Sequence, residues 1–236
     1  LLESVPGLAK TTAARVMTEA VNGSFSRIQC TPDLIPSDII GTQMYNMATN
    51  TFEDKIGPVY SNFVLLDEIN RSSAKTQSAM LEAMQEREVS IGGKTYKLPE
   101  VFVVIATQNP IESEGTYVLS EAQLDRFLLK ETLTYPNPAD EIEILNRVES
   151  DVFTNISAVA SMEDVLYLQK LCRRVYIDPA IKKYIVDIVQ ASRNTDKFMD
   201  PKLAQYVAMG ASTRAAIAFM ETAKAVALIN GRRYCV

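Results

Sequence analysis

The sequence has no histidine anywhere in its 236 residues. That absence removes Ser-His-Asp and Cys-His catalysis and every histidine-ligated metal site. Any chemistry must run on carboxylates, Lys, Arg and hydroxyl groups. Cysteine is scarce as well: Cys30, Cys172 and Cys235 are far apart and odd in number. Such usage argues against a disulfide framework and against zinc, and fits a reducing cytoplasm. No apolar run approaches the roughly 20 residues that cross a bilayer. No charged-then-apolar leader is present, but the chain opens at Leu1 without Met and is expected to be part of a longer protein. The net charge of −5 offers no support for nonspecific binding to nucleic acid. What remains, 47% hydrophobic and 22% charged, is the composition of an ordinary globular chain of one or two domains.

The stretch that organises the chain is Phe63-Val64-Leu65-Leu66-Asp67-Glu68. Four apolar residues rich in β-formers predict a strand buried on both faces. Two carboxylates stand where that strand should end. The carboxyl ends of strands are where open parallel sheets bind ligands. Side-by-side acids are unfavourable there unless a cation sits beside them. A hydrated Mg²⁺ would serve, with Asp67 holding the metal and Glu68 facing a water. A strand that simply leaves the core through two surface acids is the other reading of the pair alone.

The N-terminus favours the first reading. Leu1-Leu2-Glu3 reads as a strand end, followed by Ser4-Val5-Pro6-Gly7-Leu8-Ala9-Lys10-Thr11, with a helical pattern from Thr12 onward. Strand, tight turn, Lys-Thr, helix is the order of a phosphate-binding loop. Its backbone N–H groups would cradle phosphates, Lys10 would reach the β- and γ-phosphates, and Thr11 would ligate Mg²⁺. The loop departs from G-x-x-x-x-G-K-[ST] at Ser4 and Ala9. Alanine is expected to be inexpensive at position 9 if its φ is negative.

The chain resembles the MoxR-type AAA+ ATPases through most of its length. The likeness rests on Val5-Pro6-Gly7-Leu8-Ala9-Lys10-Thr11, Thr31-Pro32-Asp33-Leu34-Ile35-Pro36-Ser37-Asp38-Ile39, Gly57-Pro58-Val59 and Leu66-Asp67-Glu68-Ile69-Asn70-Arg71. Further strings are Leu81-Glu82-Ala83-Met84-Gln85-Glu86-Arg87, Ala106-Thr107-Gln108-Asn109-Pro110, Glu114-Gly115-Thr116-Tyr117, Glu121-Ala122-Gln123-Leu124-Asp125-Arg126-Phe127 and Gly210-Ala211-Ser212-Thr213-Arg214-Ala215. Many members have Gly at positions 4 and 9 and Pro at 213. The resemblance implies a central parallel sheet flanked by helices, an α/β AAA+ P-loop NTPase, followed by an all-helical lid. It implies ATP and Mg²⁺ as cofactors, with Ser4, Val5, Pro6, Gly7, Leu8, Ala9, Lys10, Thr11 and Thr12 around the nucleotide. Thr11 and Asp67 would hold the metal. Glu68 would act on water, Asn109 as sensor 1, Arg126 as an arginine finger given to the neighbouring subunit, and Arg214 as sensor 2.

Read by residues alone, several of these positions have plainer explanations. Asn109 before Pro110 is common turn chemistry, although the full string favours the sensor. Arg126 ahead of Phe127-Leu128-Leu129, a predicted short strand, is ordinarily a solvated residue. Gln29 or Thr31, closing a predicted strand over 24–30, could hydrogen-bond Glu68 or merely end the strand. Arg214 in the first turn of a helix works against the helix dipole, which points to a use elsewhere.

Residues 31–58, with Pro32, Pro36, Gly41, Gly57 and Pro58, are predicted to form a long connection with little regular structure. The family places a substrate-engaging insertion there. Ser72 or Ser73 caps a helix whose stripe of Ala79, Met80, Ala83 and Met84 is core packing. A hairpin turns at Gly92-Gly93, and Val101 to Thr107 is expected to be the best buried strand of the chain. Pro136 and Pro138 mark a boundary, giving a sheet domain over 1–135 and a helical lid over 136–236. Its helices are predicted near 139–149, 162–174, 179–192 and 212–230.

The expected activity is Mg²⁺-dependent ATP hydrolysis in a cytoplasmic homo-oligomeric ring, a hexamer by resemblance. It would drive chaperone-like maturation or remodelling of client or adaptor proteins, commonly ones with a von Willebrand factor A domain. Neither nucleic acid nor a membrane span is expected. The alternatives are a nucleotide-binding scaffold with little hydrolysis, and a chelatase-type or DNA-directed AAA+ motor subunit.

Overall fold

A computed structural model describes residues 1–5, 7–109, 116–150 and 156–236. Pro6 of the loop, with Pro110, Glu114 and Gly115, lies outside the described residues. In chain order the elements are β1 (Leu2–Ser4), α1 (Lys10–Ala20), β2 (Phe25–Gln29), α2 (Pro36–Ile40), β3 (Gly41–Asn46), β4 (Thr51–Ile56) and β5 (Phe63–Asp67). A 3-10 turn, Ile69–Arg71, leads to α3 (Ala74–Glu86), β6 (Glu88–Ile91), β7 (Lys94–Lys97), β8 (Val103–Gln108), α4 (Glu121–Leu124) and β9 (Glu131–Leu133). Helices follow: α5 (Pro138–Glu149), α6 (Met162–Arg174), α7 (Pro179–Arg193), α8 (Thr195–Phe198), α9 (Pro201–Ala204) and α10 (Thr213–Ile229).

Packing divides the described chain into two compact units. One comprises Leu1–Ser120 with Lys130–Met162, the other Glu121–Leu129 with Glu163–Val236. The expected boundary at Pro136 falls inside the first unit, which keeps α5.

The first unit is built on a five-stranded sheet in the order β2-β5-β8-β1-β9. Every pairing in it is parallel. Its most buried strand is β5, where Val64, Leu65 and Leu66 expose nothing, as a run without polar alternation requires. Strand β8 is less enclosed than its sequence suggests, with Val103, Val104 and Ile105 half-buried. Helix α3 packs Met80, Leu81 and Ala83 inward, and Ser73 caps it by accepting from the Thr76 N–H. Because all five strands run the same way, the carboxyl ends of β1, β5 and β8 share one edge.

Two expectations are corrected here. Residues 31–58 are largely regular: α2 leads into an antiparallel hairpin of β3 and β4, paired from Gly41–Ile56 to Asn46–Thr51. Most side chains of that hairpin face solvent, so it lacks the apolar alternation by which a half-buried strand is recognised. Asn50, at φ 55, supplies the left-handed turn that closes it. Phe127, Leu128 and Leu129, predicted as a strand, instead line a cavity of about 380 Å³ with Met209 and Phe219. The strand is β9, four residues later, whose Glu131–Leu133 register along β1.

A half-buried carboxylate ties the first hairpin to the second. Asp54 on β4 accepts from Gln43 Nε2 at 2.8 Å, from Tyr96 Oη at 2.5 Å and from Lys94 Nζ at 3.2 Å. Those three donors, Tyr96 first, hold its carboxyl below the ordinary range. The β6–β7 turn places Gly92 and Gly93 at positive φ, as the notable Gly-Gly signal predicts.

The second unit gathers Val175, Ile177, Ile185, Ala227 and Cys235 into a small core between α7 and α10. Asp178 caps α7 with Pro179 in its first turn, and Ser212 caps α10.

Gly41 and Gly93 separate two reasons for a glycine. A Cβ on Gly41, at φ +114, would lie 2.3 Å from the Lys55 carbonyl oxygen and 2.7 Å from the Gly57 nitrogen. One on Gly93, at φ +82, meets nothing within 4 Å. Gly41→Ala is expected to lose about 3 kcal/mol in denaturant unfolding, from clash added to strain. Gly93→Ala should lose about 1 kcal/mol, from strain alone. Equal losses would show that backbone contact at the hairpin base is not tight.

Candidate nucleotide site

The loop after β1 starts from a buried residue. Ser4 is 2% exposed, belongs to the strand, and donates through Oγ to the Val5 carbonyl at 3.0 Å. It is not among the positive-φ residues, so serine fits where many relatives have glycine. Ala9 differs. Its φ of 53 and ψ of 25 are left-handed, so the condition under which alanine is inexpensive there is not met. An L-residue there carries roughly 1–2 kcal/mol of strain.

Helix α1 begins at Lys10, two residues before the expected start, so Lys10, Thr11 and Thr12 form its first turn. Ala9 provides no side-chain cap, and that turn contains no acid. The leading N–H groups of an α-helix have no intrahelical acceptor and carry the positive end of its dipole. An anion completes such a terminus. Lys10 Nζ reaches back over the loop to the Val5 carbonyl at 3.4 Å. Beside the loop, Gly7 and Leu8 form a cavity of about 430 Å³ with Tyr135, Pro136, Glu141, Ile144 and Leu145.

At the end of β5, each neighbouring strand supports the acid pair. From β8, the Thr107 hydroxyl donates to Asp67 Oδ1 at 2.7 Å and accepts from the Glu68 N–H at 2.8 Å. From β2, Arg27 donates to Asp67 Oδ2 through Nε at 3.1 Å and Nη2 at 2.7 Å. Gln29 donates to Glu68 Oε2 at 3.1 Å, which selects Gln29 over Thr31 as its strand-end partner. Arg71 pairs with the same oxygen at 3.1 Å. Glu68 itself is left-handed, φ 58 and ψ 54, which turns the chain sharply into the 3-10 segment. Burial acts to raise the Asp67 carboxyl, but hydrogen bonds from Arg27 and Thr107 and the charges of Arg27 and Lys10 outweigh it. The result lies below the ordinary 3.8. Beneath the pair, burial pushes the Cys30 thiol up to about 12, with Asp67 and Glu68 adding to the effect against a Ser72 hydrogen bond.

Asn109 follows β8 and is 5% exposed; its carbonyl accepts from Asn70 Nδ2 at 3.3 Å. The structure thus brings the loop, Asp67, Glu68 and Asn109 into one unit. Arg126 and Arg214 belong to the other unit. Arg126 is exposed beyond α4. Arg214 lies in the first turn of α10, 3.4 Å from the Asp125 carboxylate, which also accepts from Ser212 Oγ at 2.5 Å.

Residues 1–129 match the ATPase family associated with various cellular activities (AAA), and residues 203–236 match the AAA lid domain. Over its full length the chain is 47% identical to chaperone MoxR1 of Mycobacterium tuberculosis, spanning 62% of that protein. It is 46% identical to the uncharacterized protein YeaC of Bacillus subtilis, spanning all of this chain and 71% of YeaC. The chain belongs to the MoxR family of AAA+ ATPases. A solved structure of an inferred ATPase from Cytophaga hutchinsonii superposes with a TM-score of 0.88 at 46% identity, covering all of this chain and 72% of that one.

Within this MoxR-family chain, Thr213 takes the first position of α10, where proline is favoured but not required. Arg27, Thr107 and the Tyr135–Leu145 wall were missed in the sequence. Arg27 shows only as a polar residue in an imperfectly alternating strand, and its partner is 40 residues away.

Ala9→Gly is expected to raise the unfolding free energy by about 0.5–1 kcal/mol, since relief of strain exceeds the added unfolded-state entropy. A loss in chemical denaturation would place Ala9 at negative φ in solution. For Asp67, the lowered carboxyl contributes stability fully above its ordinary 3.8 and loses it as pH falls through the lowered value. The advantage of wild type over Asp67→Asn should therefore be complete at neutral pH and shrink below that point. An advantage that persists in strong acid would assign it to neutral contacts.

Proposed function

We propose that this chain hydrolyses ATP, with Mg²⁺, as the motor module of a MoxR-type ring. The observation that carries the reading is the acid pair at the end of β5, where Thr107 bridges the Asp67 carboxylate and the Glu68 N–H. The open N-terminus of α1 would take the triphosphate, and Lys10 would turn from Val5 to the β- and γ-phosphates. Val5, Pro6, Gly7, Leu8 and Ala9 would line the phosphates by backbone, with Ser4 behind them and Thr12 in the first helical turn. The cavity walled by Tyr135 and Ile144 has the size and apolar lining for a base.

The donor set fits Mg²⁺. That ion prefers oxygen, keeps several waters, and needs only one or two protein ligands beside phosphate. Thr11 and Asp67 would hold it, and no cluster of three or more acids or thiols occurs among the described residues. Bound with ATP, it supplies charge that offsets the phosphate oxygens. Glu68 would accept a proton from the water that attacks the γ-phosphorus, as the bond to the β-bridging oxygen breaks and ADP leaves. Asn109 would orient that water. Arg126, given across a ring interface, and Arg214 would offset charge developing in the transition state.

MoxR1 is named a chaperone. The corresponding role here is ATP-driven maturation or remodelling of client or adaptor proteins, including ones with a von Willebrand factor A domain. A cytoplasmic homo-hexamer is the expected assembly. No helix among the described residues is long and apolar enough to cross a membrane.

Lys10→Ala should abolish tight ATP binding, whereas Glu68→Gln should bind ATP and fail to turn over. Normal hydrolysis by Glu68→Gln would remove it from the catalytic role. Failure of wild type to hydrolyse bound ATP would favour the scaffold reading. An arginine finger is typically worth ~10³–10⁵ in rate, so Arg126→Ala should be nearly inactive. Mixed at full length with Lys10→Ala, it should regain ATPase activity, because the Lys10→Ala subunit lends an intact Arg126 to a neighbour. Recovery should peak near equal proportions. A flat baseline with mixed assembly verified would return Arg126 to an ordinary surface role.

A further inference from the structure

Arg27 has no part in the roles above, yet it makes the shortest ionic contact of the acid pair. The parallel register sets Gln29 beside Asp67 and Arg27 beside Leu65. Residues two apart on a strand share a face, so Arg27 reaches along β2 toward its own end and meets Asp67 there. Asp67 Oδ2 takes both guanidinium contacts while Oδ1 takes the Thr107 hydroxyl, so each carboxylate oxygen is engaged. Nη2 also donates to Gln29 Oε1 at 2.6 Å, and the amide of the same Gln29 donates to Glu68 Oε2 at 3.1 Å. One guanidinium is therefore linked to both acids, to Asp67 directly and to Glu68 through a single side chain.

The two ends of this pair differ in exposure. The Arg27 side chain is 47% exposed, and that of Asp67 only 13%. The acid is fixed by the sheet; the cation can swing into solvent. Ion pairs with so exposed a partner are weak and screened. Two cations cannot share Oδ2 without repulsion.

We propose that Arg27 is a positioning residue that occupies the metal's place on Asp67 until Mg²⁺ arrives with nucleotide, and that its departure releases Gln29 and thereby Glu68. Asp67 is thus kept paired but closed to free divalent cations. Metal arrival at one acid is transmitted to the other through two hydrogen bonds. The inference rests on the reading of Asp67 as the metal-holding acid.

Mn²⁺ serves as the probe, counted by electron paramagnetic resonance on the full-length protein without nucleotide. Wild type should bind it weakly. Arg27→Met should bind it about ten-fold more tightly or better, because a competing charge has gone. Arg27→Gln tests the same point where Arg27→Met does not fold. Arg27→Lys, which restores the charge, should return binding toward wild type. Asp67→Asn in the Arg27→Met background should abolish the gain. A structural role alone would not create Mn²⁺ affinity.

A separate arm measures Mn²⁺ with a non-hydrolysable ATP analogue. If Asp67→Asn leaves that binding unchanged, the reading of Asp67 fails. If Asp67→Asn weakens it while folded Arg27→Met and Arg27→Gln gain no nucleotide-free Mn²⁺, the Arg27 inference is overturned and the reading of Asp67 stands.

Discussion

Two adjacent carboxylates at the end of a strand with no exposed apolar residue among its inner three are the constraint on which the first unit turns. Charge at such a place is tolerated only with donors on more than one side. The sheet order supplies them. With β5 between β2 and β8, one neighbour brings Arg27 and Gln29 and the other brings Thr107. An edge position for β5 would remove the donors of one side. The crossover that carries the chain from β1 past two positions to β2 is thus the topological condition for donors on both sides of the pair.

Strain accompanies this arrangement. Ala9 and Glu68 are both left-handed, and each is the residue immediately before a helical segment. Non-glycine residues in that region persist where surrounding bonds over-determine them. For Glu68 those bonds are visible: its N–H donates to Thr107 and its carbonyl accepts from the Arg71 N–H at 2.8 Å. For Ala9 the carbonyl accepts from the Ala13 N–H at 2.9 Å, the first bond of α1. In both cases the first hydrogen bond of the following helix or turn is made to the carbonyl of the strained residue.

What could be read from the sequence follows from how each signal is encoded. Strand β5 was legible because burial on both faces demands an unbroken apolar run. The Gly-Gly hairpin and the capped α3 and α7 were legible because a cap or a turn is local chemistry. The β3–β4 hairpin was not, since a ribbon facing water on nearly every residue has no period to detect. Strand β9 was displaced because Phe127-Leu128-Leu129 is apolar for a cavity in the other unit, while Glu131-Thr132-Leu133 is a sheet edge with little apolar content. In the site, the residue types were legible and their partners were not. Arg27 and Thr107 each meet Asp67 across 40 residues of chain, a distance over which spacing carries no information.

Each unit contains an arginine held by an aspartate, Arg27 by Asp67 in the first and Arg214 by Asp125 in the second. In both pairs the acid is the better buried member, 13% and 20% exposed, while the arginine is 47% and 51% exposed. The acids are also fixed by a hydroxyl, from Thr107 and from Ser212. The Asp125 contact answers the unfavourable dipole of α10, which would otherwise repel a guanidinium in its first turn. It does so at 3.4 Å, longer than the Arg27 contact of 2.7 Å. Such pairs place the arginine without committing it, because little energy separates the paired state from a solvated one. A polyanion has the charge to draw Arg214 from its acid, and a dication the charge to displace Arg27 from its own. The same construction, a fixed carboxylate with a displaceable guanidinium, recurs in both units.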